Sequence, residues 1–194
     1  MTDTIINSQQ QSSFRIVPAA GLCVVGVVVA ALIVAVSTNS LWAIDFFHVV
    51  GGATWTILDL FLGFVIGPIL GKLSVSARAE FTKKFMPKML LIMPTVVLCT
   101  LAAGFQLARH QDRLVANYHL HLWLIASYIV VAIMALIALG ILEPANVAVL
   151  FELKKPTPNG EVIAKLMKRF IYSAGATGAM QIATLVIMTR LATS

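Results

Sequence analysis

Residues 16–38, IVPAAGLCVVGVVVAALIVAVST, run for 23 positions without a charged side chain. A stretch of about 20 apolar residues spans the hydrocarbon core of a bilayer. Inside lipid each backbone N–H and C=O must find its partner within the segment, which leaves the helix as the only form for such a run. A signal-peptide core is about 7–15 residues, so a retained helix is expected here. Four more apolar stretches follow at about 42–71, 87–108, 120–142 and 169–190. The chain is 59% hydrophobic and 11% charged, against roughly 25% charged in soluble domains. The expected fold is therefore an all-α, polytopic membrane bundle of five helices. It forms one domain over 16–194 behind a polar, Ser/Gln-rich tail at 1–15.

The basic residues set an orientation. Eleven Lys and Arg fall near span ends on one side, in Arg15, the loop 72–88 and the region 154–169, and three on the other, Arg109, Arg113 and Arg190. By the positive-inside rule the first side is cytoplasmic. The N-terminus is then inside and the C-terminus outside, in a prokaryotic-type inner membrane. The same rule accounts for the net charge of +6, so no nucleic-acid partner is implied. Cys23 and Cys99 lie in different apolar spans and read as buried small hydrophobes, not a disulfide. Pro94 should kink the third span, and SAGATGA at 173–179 supplies the small residues that let membrane helices approach.

Polar residues inside the spans carry the functional signal. At about 100° per residue, His48, Gly52, Trp55 and Asp59 fall within about 40° of one another on one stripe of the second span. That stripe should face other helices. All four histidines, His48, His110, His119 and His121, fall on the outer side of this topology. Imidazole ligates haem iron and copper. His48 and His121 open neighbouring spans at similar depth, so one ligand from each is expected, with His119 a further candidate for a metal. Gly52, Trp55 and Tyr128 would line the pocket. Asp59 sits near the midplane, where a charge costs roughly 2.5–3.5 kcal/mol. It is expected to be neutral and hydrogen-bonded, either as a proton carrier or as a fastener between helices, with Thr100, Thr177 and Gln181 at its level. Met86, Met89 and Met93 share a face of the third span and read as core packing. Trp42, Tyr118 and Trp123 read as an interfacial aromatic belt. GxxxxGK[ST], HExxH, CxxC and CxxCH are absent, which argues against nucleotide-driven transport, zinc proteolysis and covalently attached haem.

The run His48-Val-Val-Gly-Gly-Ala-Thr-Trp55, then Pro68 and a basic loop with Arg78, then Met93-Pro94 and Thr100-Leu-Ala-Ala-Gly104-Phe-Gln-Leu, resembles the copper-resistance D-like superfamily of small integral membrane proteins. That group includes the membrane-embedded protoporphyrinogen oxidase. The resemblance covers residues 44–143 and implies a bundle in which His48 ligates haem or copper. The chain departs from it at Thr56-Ile57, where relatives carry Gly-Gly or Gly-Leu. No residue matches the intramembrane lysine associated with the oxidase, so that activity is not carried over. Three functions are thus expected to compete. They are a b-type haem redox protein, a copper import or delivery protein, and a non-catalytic subunit of a larger membrane complex or homo-oligomer.

Overall fold

The computed structural model describes residues 16–111, 114 and 120–193. The tail expected at 1–15, and Tyr118 and His119 in the loop after the third span, lie outside the described residues. Five helices are long and apolar enough to cross a membrane: α1 Ala19–Ser37, α2 Leu41–Lys72, α3 Val75–His110, α4 His121–Leu153 and α5 Gly160–Ala192. No strand occurs among the described residues. The protein is thus an all-α, multi-pass membrane protein. The end carrying Leu41, His121 and Ala192 is called the histidine end, and the opposite one the lysine end.

The connections are closed by local hydrogen bonds. After α1, Ser40 N donates to Ala35 O and Asn39 N to Val36 O, both at 3.1 Å. Asn39 takes the left-handed conformation (φ 52°) that this C-terminal motif requires. The loop expected at 72–88 shrinks to a turn at Leu73 and Ser74, and α3 begins at Val75. The segment is helical because its apolar residues already sit at helical spacing, with Phe81 stacked on Phe85, and Glu80 pairs with Lys84 one turn on at 2.8 Å. Arg78 reaches back to the end of α2, donating from Nε to Leu70 O (3.0 Å) and from Nη2 to Leu73 O (3.2 Å) and Gly71 O (3.4 Å). The terminal carbonyls of α2 are thereby satisfied.

Two further boundaries move for the same reason. The fifth helix starts at Gly160 rather than 169, because Ile163, Met167 and Phe170 are buried while Lys165, Lys168 and Arg169 are exposed. Charge on the solvated face hides such a turn from a hydropathy window. The fourth continues through Pro144 to Leu153. Proline at the first turn after a helical irregularity costs little. That irregularity is a π-helical stretch at Ala138–Leu142, and a second interrupts α2 at Phe61–Ile66. α3 runs unbroken through Pro87 and Pro94.

Helices α2 to α5 form a ring. α2 packs on α3 and α5, α4 packs on α5, and α2 and α4 face each other across the ring without extended contact. α1 lies outside it, against α2 and α3. Most of α1 therefore faces lipid, and Cys23, expected buried, is exposed; Cys99 is buried. The core holds Met86, Met89, Met93, Met134 and Phe170, and the methionine face of α3 is packing as expected. The small residues of α5 meet α2 directly. A Cβ added to Gly63 would come 2.4 Å from Gly175 Cα. Asn146 of α4, fully buried, reaches α3. With its amide turned so that nitrogen faces carbonyl, Nδ2 donates to Met86 O (3.2 Å) and Oδ1 accepts from Leu90 N (3.0 Å).

Candidate ligand cavity

The two halves of α4 behave differently. Its lysine-end half, Glu143–Leu153, packs on both α3 and α5, whereas His121–Ile137 packs on α5 and makes no extended contact with α2 or α3. Among the described residues the ring is therefore open at the histidine end. A cavity of about 980 Å³ fills the gap, bounded by α2, α3, α4 and α5. Phe105 of α3 and Tyr128 and Ala132 of α4, all exposed, flank its side opening. Its walls are mostly aliphatic and aromatic, with a few polar groups set into them, as is usual for small-molecule sites.

His48, Gly52, Trp55 and Tyr128 all line this cavity, so the α2 stripe faces helices. His48 Nδ1 lies 3.1 Å from Thr100 O. A carbonyl only accepts, so Nδ1 carries a proton, and in the neutral imidazole the lone pair is then on Nε2. No partner for Nε2 is found among the described residues. The ring fits flat against α3 because position 104 is glycine: a Cβ there would come 2.6 Å from His48 Cε1. Gly51 serves helix packing, since a Cβ on it would meet Thr100 Oγ1 at 2.4 Å, while Gly52 has only Thr100 Cγ2 at 3.7 Å and opens onto the cavity.

His121 is not on the cavity wall. It begins α4 half-buried, with Nδ1 enclosed and without a hydrogen-bond partner. Of the two histidines expected to act together, His48 lines the cavity and His121 does not, the half of α4 that carries it being packed on α5. His110 is exposed at the end of α3. Among the described residues no three His, Cys, Asp or Glu side chains converge on a metal position.

Three polar side chains on the wall were less legible. Ser127 of α4 is buried, with no hydrogen bond among the described residues. Thr56 Oγ1 lies 2.8 Å from Gly52 O and 3.0 Å from Gln181 Oε1. One hydroxyl proton serves one of them at a time, and Gln181 Nε2 is buried without a partner. Gln181, expected at the level of Asp59, thus belongs to the cavity floor. The signal for it was its spacing on α5, in step with the buried Ala174 and Thr177.

Asp59 lies below that floor. It is fully buried, its polar neighbours are Thr177 and Trp55, and neither carboxyl oxygen has a hydrogen bond within normal geometry. Glu143, which the sequence offered only as a helix boundary, is also buried with both oxygens unpartnered, beside Asn146. Comparison of the chain with protein-family models, with curated proteins and with solved structures finds no match in any of the three.

Proposed function

We propose that the protein binds a b-type haem in the histidine-end cavity and carries electrons in the outer half of a prokaryotic-type cytoplasmic membrane. One observation carries this reading. His48 donates from Nδ1 to the Thr100 carbonyl, so that in the neutral imidazole the lone pair is on Nε2, which has no partner among the described residues, on the wall of a large apolar cavity. Ligating histidines characteristically donate their other nitrogen in this way, which fixes the ring and raises its basicity. When bound, the haem supplies one-electron exchange. His48 would hold the group through Nε2, Gly52 would keep the approach clear, Gly104 would seat the imidazole, and Trp55, Phe105 and Tyr128 would give it apolar surface. Among the described residues no Lys or Arg lines the cavity. The reading agrees with the resemblance carried by His48 and Trp55 and needs no second histidine.

Copper handling is less well supported, since His48 is the one histidine on the cavity wall among the described residues. The accessory-subunit reading loses its main argument, because the small-residue face of α5 is already used against α2. Titration of purified full-length protein with haem decides. A Soret band lost in His48→Ala and kept in His121→Ala supports single-histidine ligation, and no band in the wild type overturns the reading.

A further inference from the structure

Asp59 and Glu143 stand at nearly the same depth, on the two helices that face each other across the ring. Gly51 meets Thr100, so Asp59, eight residues deeper in α2, lies opposite Ile92 of α3. The Asn146 amide brackets Met86 O and Leu90 N, so Glu143 lies opposite Leu91. The α5 side agrees. Asp59 abuts Gly178, and the Met134–Thr184 contact at 3.5 Å sets Glu143 opposite Gly175. Both registers put the two carboxyls within about one helical turn of each other in depth, about 5.4 Å. Both are at least nine-tenths buried. Each also adjoins one of the two π-helical stretches, Asp59 just before Phe61–Ile66 and Glu143 just after Ala138–Leu142, a distortion frequent at functional sites.

We propose that Asp59 and Glu143 are two stations of a proton path between the lysine end and the cavity. Among the described residues neither has a cation to pair with: the polar neighbours are Thr177 and Trp55 for Asp59 and Asn146 for Glu143. A proton is the counter-charge that a carboxyl without a cation takes up in a dry core. Trp55 stands between Asp59 and the cavity, its ring on the wall and its Nε1–H a neighbour of Asp59; the indole only donates, so a proton would pass beside it through water. Met86, Met93 and Met134 belong to the same buried core as Trp55 and Leu142, and such unbranched side chains rearrange to admit water. Once Asp59 has released its own proton toward the cavity, the proton held as Glu143 O–H passes through water to the Asp59 carboxylate, and Glu143 is reprotonated from the lysine end. One O–H bond breaks and another forms at each transfer, and no electron moves.

This inference does not depend on haem, and its test needs none. Full-length protein is reconstituted in vesicles enclosing a pH-sensitive dye, and a potassium diffusion potential, negative inside, is imposed. Inward proton flux above that of protein-free vesicles is expected. Asp59→Asn and Glu143→Gln should each lower it at least tenfold, and Asp59→Glu should retain it. A carbodiimide that reacts with protonated acids in apolar surroundings should block the flux and label both residues. Wild-type flux equal to that of protein-free vesicles, or flux unchanged in both amide variants, overturns the proposal. Melting and elution profiles matching the wild type certify that the variants are folded.

Discussion

The imidazole of His48 lies over Gly104, with Nδ1 3.1 Å from the carbonyl oxygen of Thr100 one turn earlier in α3. Two helices thereby fix both the tilt and the tautomer of one ring. Gly104→Ala would place a methyl group 2.6 Å from His48 Cε1 and lift the ring off its carbonyl. Haem affinity, read from the Soret titration, is expected to fall about 10–100-fold, the usual cost of losing such outer support. Gly52→Ala, with 3.7 Å of clearance, should disturb His48 little.

His121 separates two ligation schemes. Since it stands off the cavity wall, His121→Ala should leave the reduced-minus-oxidised spectrum unchanged in band position. A shift to a high-spin spectrum on that substitution would mean that α4 swings inward to supply a second ligand.

The approach of Gly63 to Gly175 predicts a steep size dependence. Gly63→Ala sets a methyl against backbone at 2.4 Å and is expected to cost at least 1–3 kcal/mol, the ordinary penalty of overpacking. Gly140→Ala, with nothing within 4 Å, should be close to neutral. Thermal melts of the two variants in one detergent give the comparison directly.

Arg78 closes the end of α2 with three donors. Its loss should destabilise the protein by about 1–2 kcal/mol, since hydrogen bonds from charged groups are worth about 1.5–3 kcal/mol and the freed carbonyls are partly wetted. Arg78→Lys should recover little, because an ammonium lacks the planar fork that reaches three carbonyls. The denaturation midpoints of Arg78→Ala and Arg78→Lys test both statements.

Much of the fold was legible because lipid leaves few options. An uncharged run such as 16–38 can only be a helix, and the His48–Asp59 stripe had to turn inward. The extensions of α3 and α5 were hidden for a physical reason. Lys83, Lys84, Lys165 and Lys168 sit on helix rather than in loops, and average hydropathy does not separate a charged helical face from a coil. The cavity was half legible. His48, Gly52 and Trp55 of α2 line it together, since one helix fixes their relative angles. The contact of His48 with α3 was not legible. Whether His121 or Gly104 faces it depends on how two helices rotate and lean, and those choices are made by packing between distant segments such as Asn146 with Met86. Glu143 was missed because its neighbour Pro144 drew attention to a boundary that the chain does not use.

The gap between α3 and the histidine-end half of α4 has a consequence for any measurement on this protein. Where the helices part, no extended helix contact among the described residues closes the wall, and in a bilayer that seam would face acyl chains. Affinity then depends on what fills that seam. A bulky detergent competes for it, a thin bilayer changes the tilt of α4 and so the width of the opening, and an apolar ligand reaches the site from the membrane phase, at its membrane concentration. A binding constant for this protein will have meaning only together with the name of the lipid in which it was taken.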